Sequence, residues 1–116
     1  VALEHVLAAT TDPAGDAVRC AALFAGAPSR GADGAFVVDT GNSTIRFESP
    51  RSLAATFEGV ELGAADGLVG LVLRTTSLTA ARAALAAGAV PSVATAAGVA
   101  VAPADACGVL LVFTAA

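Results

Sequence analysis

The stretch Gly34-Ala35-Phe36-Val37-Val38-Asp39-Thr40-Gly41-Asn42-Ser43-Thr44-Ile45-Arg46-Phe47-Glu48-Ser49-Pro50 decides how the chain is read. Ala35 to Val38 is an apolar run, Asp39 to Asn42 is turn chemistry, and Ser43 to Glu48 alternates polar with apolar residues. Together they read as two strands folded back into a hairpin. Because side chains alternate across a strand, Ile45 and Phe47 share one face while Thr44, Arg46 and Glu48 share the other. A face carrying Arg and Glu borders either water or a polar cavity, and the choice between the two is the functional question. No phosphate loop is expected at Asp39 to Asn42, since no helix follows it.

Upstream of the hairpin, Leu3 to Thr10 reads as a strand, and Asp12-Pro13 starts a helix with Asp as N-cap and Pro in the first turn. Ala14, Ala17, Val18, Ala21, Phe24 and Ala25 recur at helical spacing, Gly26 and Pro28 end that pattern, and a short extra strand fits between Pro28 and Gly34. Downstream, Pro50 to Gly67 is mixed in character and reads as a partly extended connector, with Phe57, Val60 and Leu62 alternating weakly with Glu58 and Glu61. The grammar of the first half then returns. Leu68 to Ser77 matches Leu3 to Asp12 at an offset of 65, with Thr75-Thr76-Ser77 answering Thr10-Thr11-Asp12. Leu78, Ala81 and Leu85 form a helix face closed by Gly88 and Pro91. Gly98 to Val101 parallels Gly34 to Val37, and Gly108 to Phe113 parallels Asn42 to Phe47. The chain is thus a duplicated strand–helix–strand–strand–strand unit. Half of 116 residues is too short to bury an adequate core alone, so the copies share a sheet or pack together, leaving the helix-free face concave.

Composition bounds the rest. The chain is 56% hydrophobic and 14% charged, with mean hydropathy +0.78, which rules out disorder. The uncharged window from Ala83 to Ala104 is interrupted by Gly88, Pro91, Ser92, Thr95 and Gly98, so no membrane span is expected there. Net charge is −4 and the six basic residues, all Arg, are scattered, leaving no stripe for nucleic acid. Cys20 and Cys107 lack metal-site spacing and read as a buried apolar side chain and a loop thiol. The opening residues carry no basic leader region, so a cytoplasmic location is expected. Val1 and the absence of Met fit a trimmed or processed chain, or a piece of a longer one.

The repeat, taken with Leu3-Glu4-His5-Val6, Gly34 to Asn42 and Cys107 to Phe113, resembles the vicinal oxygen chelate superfamily. That group includes glyoxalase I, methylmalonyl-CoA epimerase, extradiol dioxygenases and bleomycin-resistance proteins. The resemblance implies an α+β fold in one domain spanning residues 1–116. Two tandem βαβββ modules, about 1–50 and 68–116 around a connector at 51–67, would form a curved mixed sheet, a half-open barrel with the helices outside. It further implies a homodimer and a divalent metal held by His or Gln and Glu from the first and last strands of each module. Carried over position by position, those sites fall on His5, Arg46, Gly70 and Val112, of which His5 alone is a ligand type.

No tightly bound catalytic metal is therefore expected, and the function expected is binding of a small, anionic organic molecule in the sheet cleft. His5 is the candidate catalytic acid or base, and Arg46, Glu48 and Arg74 are candidate ligand-binding residues. Against these stand structural readings: a core histidine for His5, an Arg46–Glu48 ion pair, and a solvated strand end for Arg74. A metal-independent lyase or isomerase fits this reading. Its rivals are a metal-dependent glyoxalase- or dioxygenase-type enzyme using His5 and Glu48 with ligands from a second subunit, and a non-catalytic drug-binding protein. The absence of Trp and Tyr argues against an aromatic cage for a planar drug.

Overall fold

A computed structural model describes residues 2–31, 34–63 and 67–115, so the end of the expected connector, residues 64–66, lies outside the described residues. In chain order the elements are β1 (Ala2–Ala9), α1 (Pro13–Ala22), β2 (Ser29–Arg30), β3 (Phe36–Asp39), β4 (Thr44–Glu48), α2 (Pro50–Thr56), β5 (Gly67–Thr75), α3 (Leu78–Ala87), β6 (Val93–Thr95), β7 (Gly98–Val101) and β8 (Leu110–Ala115), with a 3₁₀ turn at Pro103–Asp105. The strands form a single unclosed sheet of eight in the order β2-β3-β4-β1-β5-β8-β7-β6.

The hairpin at Gly34 to Pro50 forms as its pattern predicts. β3 and β4 pair antiparallel from Phe36 opposite Phe47 to Asp39 opposite Thr44. Asp39 accepts from the Gly41 amide at 2.8 Å, and Gly41 takes the positive φ of 108° that the turn needs. The duplication shows in the register. β1 and β4 are parallel with Leu7 opposite Arg46, and β5 and β8 are parallel with Val72 opposite Val112, each partner being one offset further along the chain. An antiparallel β1–β5 seam joins the two halves at the middle of the sheet.

Both long helices start as expected. The Asp12 carboxylate accepts from the Gly15 amide at 3.2 Å and the Ser77 hydroxyl accepts from the Ala80 amide at 3.0 Å. At their ends the left-handed residue is an alanine beside the expected glycine: Ala25 (φ 53°) precedes Gly26, and Ala89 (φ 55°) follows Gly88. Packing of α1 on its module buries Ala17 and Ala21 with Ala8, Val38 and Phe47, so the Ile45–Phe47 face of β4 meets a helix. No residue of α3 is fully buried. Among the described residues no helix is long and apolar enough to cross a membrane.

The connector corrects the reading of an extended segment. It opens as α2, with the Ser49 hydroxyl accepting from the Ser52 amide at 3.1 Å and Pro50 in the first turn. Leu53 and Phe57, one helical turn apart, are 0% and 2% exposed and join Leu7, Ala9, Val72, Ala100, Leu110 and Val112 in a core on the concave face. Burying each of these two side chains is worth about 2 kcal/mol, which outweighs the weak alternation that suggested a strand. The concave face is consequently not open along its whole length; α2 fills one part of the bowl and leaves the remainder as a cavity.

Candidate functional site

That remaining cavity, of about 290 Å³, is lined by Glu4, His5, Leu7, Arg46, Glu48, Thr56, Val72, Ala97, Thr114 and Ala115. Its ionisable residues come from β1 and β4, with Thr56 added by α2 and Thr114 by β8. Thr44, Arg46 and Glu48 project from alternate positions of β4, as the period-2 pattern requires, and face the side opposite the α1 core. On β1, strict alternation would send Glu4 to the convex face. A bulge intervenes: Leu3 opposes Leu73 and His5 opposes Val72, so two steps along β1 answer one along β5. Glu4 and His5 both line the cavity as a result.

At one end of the cavity lies a chain of four side chains from three strands. The His5 Nδ1 atom is 2.5 Å from the Thr44 hydroxyl. That hydroxyl also donates to the Glu4 carbonyl at 3.4 Å, an arrangement in which the ring donates from Nδ1. The other ring nitrogen, Nε2, is 3.7 Å from the Glu4 carboxylate. The second carboxylate oxygen of Glu4 accepts from the Thr114 hydroxyl at 3.1 Å, which ties the last strand of the second module to the first strand of the first.

Glu48 and Arg46 lie further along. Glu48 is 6% exposed, its Oε1 accepting from the Ser52 hydroxyl of α2 at 3.1 Å, and its Oε2 is 4.0 Å from Arg46 Nε. The ion pair that the residues suggested is thus present at the edge of contact, and the guanidinium presents its donors in the fixed fork that matches a carboxylate. Toward a small polar molecule the two carboxylates can accept, the guanidinium can donate, and the imidazole can do either and can move a proton.

The sequence-derived candidates fare unevenly in placement. His5, Arg46 and Glu48 come together around one cavity, whereas Arg74 is exposed on β5 opposite Ala2 and is not part of its lining. Glu4, Thr44, Ser52 and Thr114 were not singled out. Thr44 was legible from its place on the Arg46 face, but the bulge that turns Glu4 inward and the packing of α2 that brings Ser52 to Glu48 have no local signature.

A divalent metal of the kind the resemblance implies does not fit the four corresponding positions. Val112 is fully buried and aliphatic, and Arg46 is a cation. At Gly70 an added Cβ would stand 2.9 Å from the Leu110 carbonyl oxygen and 3.0 Å from its Cβ, so β8 occupies the space a ligand side chain would need. Among the described residues no group of three or more His, Cys, Asp and Glu side chains is placed to hold an ion. Glu48 does not stand beside His5 either: His5 is level with Thr44 and Glu48 with Ala9, a separation of about 13 Å along the strands.

No family model matches the chain and no curated protein matches it. Solved structures do. A hypothetical protein from Bacillus halodurans C-125 aligns at 17% identity and TM-score 0.66, over 98% of this chain and 93% of its own. Methylmalonyl-CoA epimerase from Mycobacterium tuberculosis aligns at 20% identity and TM-score 0.57, over 98% and 87%. Likeness at such identity establishes architecture, and with the topology above it gives this chain a half-open βαβββ fold of the vicinal oxygen chelate type.

Proposed function

We propose that this is a glyoxalase-like protein of the vicinal oxygen chelate superfamily whose concave cleft binds a small organic molecule carrying an anionic group, anchored at Arg46, with His5 as the proton-transferring residue. One observation carries the reading: the side chains that face into the bowl at the superfamily's ligand positions are an imidazole, a guanidinium, a glycine with no room and a valine. This donor set suits an anion and a proton transfer better than it suits a cation. The chemistry it supports is metal-independent, of lyase or isomerase type, with His5 exchanging a proton with the ligand while the Thr44 hydroxyl holds the ring through Nδ1.

A thermal-shift screen against divalent metals, glutathione, CoA thioesters and small carboxylates tests this. The expected result is stabilisation by a class of small carboxylates, lost in Arg46→Gln, with a flat response to the metals. Strong stabilisation by Ni²⁺, Zn²⁺ or Fe²⁺ that disappears in His5→Ala would overturn it in favour of a metalloenzyme.

A further inference from the structure

The cavity carries charges of both signs, and Glu4 stands apart from Arg46. Arg46 is level with Leu7, and Glu4 precedes Leu7 by three positions, about 10 Å of strand. Between these two places the lining is the apolar Leu7 and Val72, with Ala97 and Ala115 also on the wall. Glu48 lies beyond Arg46, at the end of the cavity away from Glu4, where Arg46 opposes it and Ser52 holds it. Two carboxylates, Glu4 and Glu48, line the cavity with one guanidinium, Arg46. A ligand bearing anionic groups at both ends would place its second one against Glu4. A carboxylate at Arg46 joined by a short apolar chain to a protonated amine at Glu4 would satisfy both ends.

We infer that the ligand is bipolar: an ω-amino carboxylate or a molecule of that charge pattern, with its carboxylate at Arg46, its methylenes over Leu7 and Val72, and its ammonium on the Glu4 carboxylate that Thr114 orients. The volume of about 290 Å³ sits at the lower end for small-ligand sites and suits such a molecule rather than one of coenzyme size. The inference rests on the proposed anchoring of an anion by Arg46 and adds the second pole.

Isothermal titration of the whole protein with δ-aminovalerate, valerate, glutarate and cadaverine separates the two claims. The expected result is that δ-aminovalerate binds about tenfold more tightly than valerate or glutarate. Glu4→Gln should abolish that preference by weakening δ-aminovalerate while valerate still binds at least as tightly as to the parent, and Arg46→Gln should remove binding of all three carboxylates. Glutarate binding as tightly as δ-aminovalerate, or the preference surviving Glu4→Gln, would overturn the bipolar ligand and leave the Arg46 anchor standing. Carboxylate binding that is absent, or indifferent to Arg46→Gln, would overturn both, as would cadaverine binding the parent protein as tightly as δ-aminovalerate does.

Discussion

Gly98 and Ala89 occupy backbone conformations that act on stability in opposite directions. Gly98 opens β7 at φ 140°, and a Cβ there would lie 2.2 Å from the Phe113 carbonyl oxygen. Gly98→Ala is therefore expected to cost about 3 kcal/mol, read as a lower denaturation midpoint. Ala89 sits at φ 55° after α3, where L-residues are strained by 1–2 kcal/mol and glycine is not. Part of that gain is offset by the greater freedom of glycine in the unfolded chain, so Ala89→Gly should stabilise by about 0.5 kcal/mol, visible as a Tm rise of roughly 3 °C. Asp16 adds a pH term. The Thr10 hydroxyl donates to its carboxylate and the Arg19 guanidinium lies against it, and these hold its pKa below the usual carboxylate range. A depressed folded pKa contributes stability that is complete above the unfolded value, roughly pH 4, and is lost as pH falls through the folded one. Urea titrations should accordingly show Asp16→Asn less stable than the parent at pH 6, with the gap closing toward pH 2. Thr10 and Asp16 are readable as helix-start residues, but their mutual hydrogen bond depends on how β1 hands over to α1.

At the scale of elements, α2 matters most, because it determines how much of the bowl is hollow. Ser49 followed by Pro50 is a helix start that the residues display. Only Leu53 and Phe57 then mark an apolar face, and seven residues are too few for a period of 3.6 to outvote a competing alternation. Ser49→Ala should cost about 1 kcal/mol by removing the cap. Leu53→Ala, at a fully buried position, should cost about 3 kcal/mol and enlarge the cavity toward Phe57, and calorimetry on the two variants distinguishes a frayed helix from an emptied core. The two long helices make the complementary case. α1 and α3 have matching lengths and side-chain N-caps, yet α1 buries Ala17 and Ala21 while α3 buries nothing completely, in keeping with the weaker segregation of apolar and polar residues around α3.

The whole molecule is held by residues of both halves at once. The concave core draws Leu7 and Ala9 from β1, Leu53 and Phe57 from the connector, and Val72, Ala100, Leu110 and Val112 from the second module. A fragment of residues 1–50 should therefore remain largely unfolded by far-ultraviolet circular dichroism and amide dispersion; a stable folded monomer would show that each unit supports itself. The sheet ends on β2 and β6, strands of two and three residues, and edges this short blunt edge-to-edge pairing with other chains.

Residue order alone determined the hairpin, the starts of α1 and α3, the duplication and which face of β4 carries Thr44, Arg46 and Glu48. These follow from spacings of two to four residues and from a repeat, all of which are local or internal to the chain. Tertiary structure decided the rest of the site. The bulge that turns Glu4 in beside His5 is set by the β1–β5 register, the filling of the bowl by α2 is set by packing on distant strands, and the exclusion of a side chain at Gly70 is set by Leu110, forty residues on. Each joins residues far apart in sequence through contacts that leave no periodic trace in either partner, so they become visible only when the sheet is assembled.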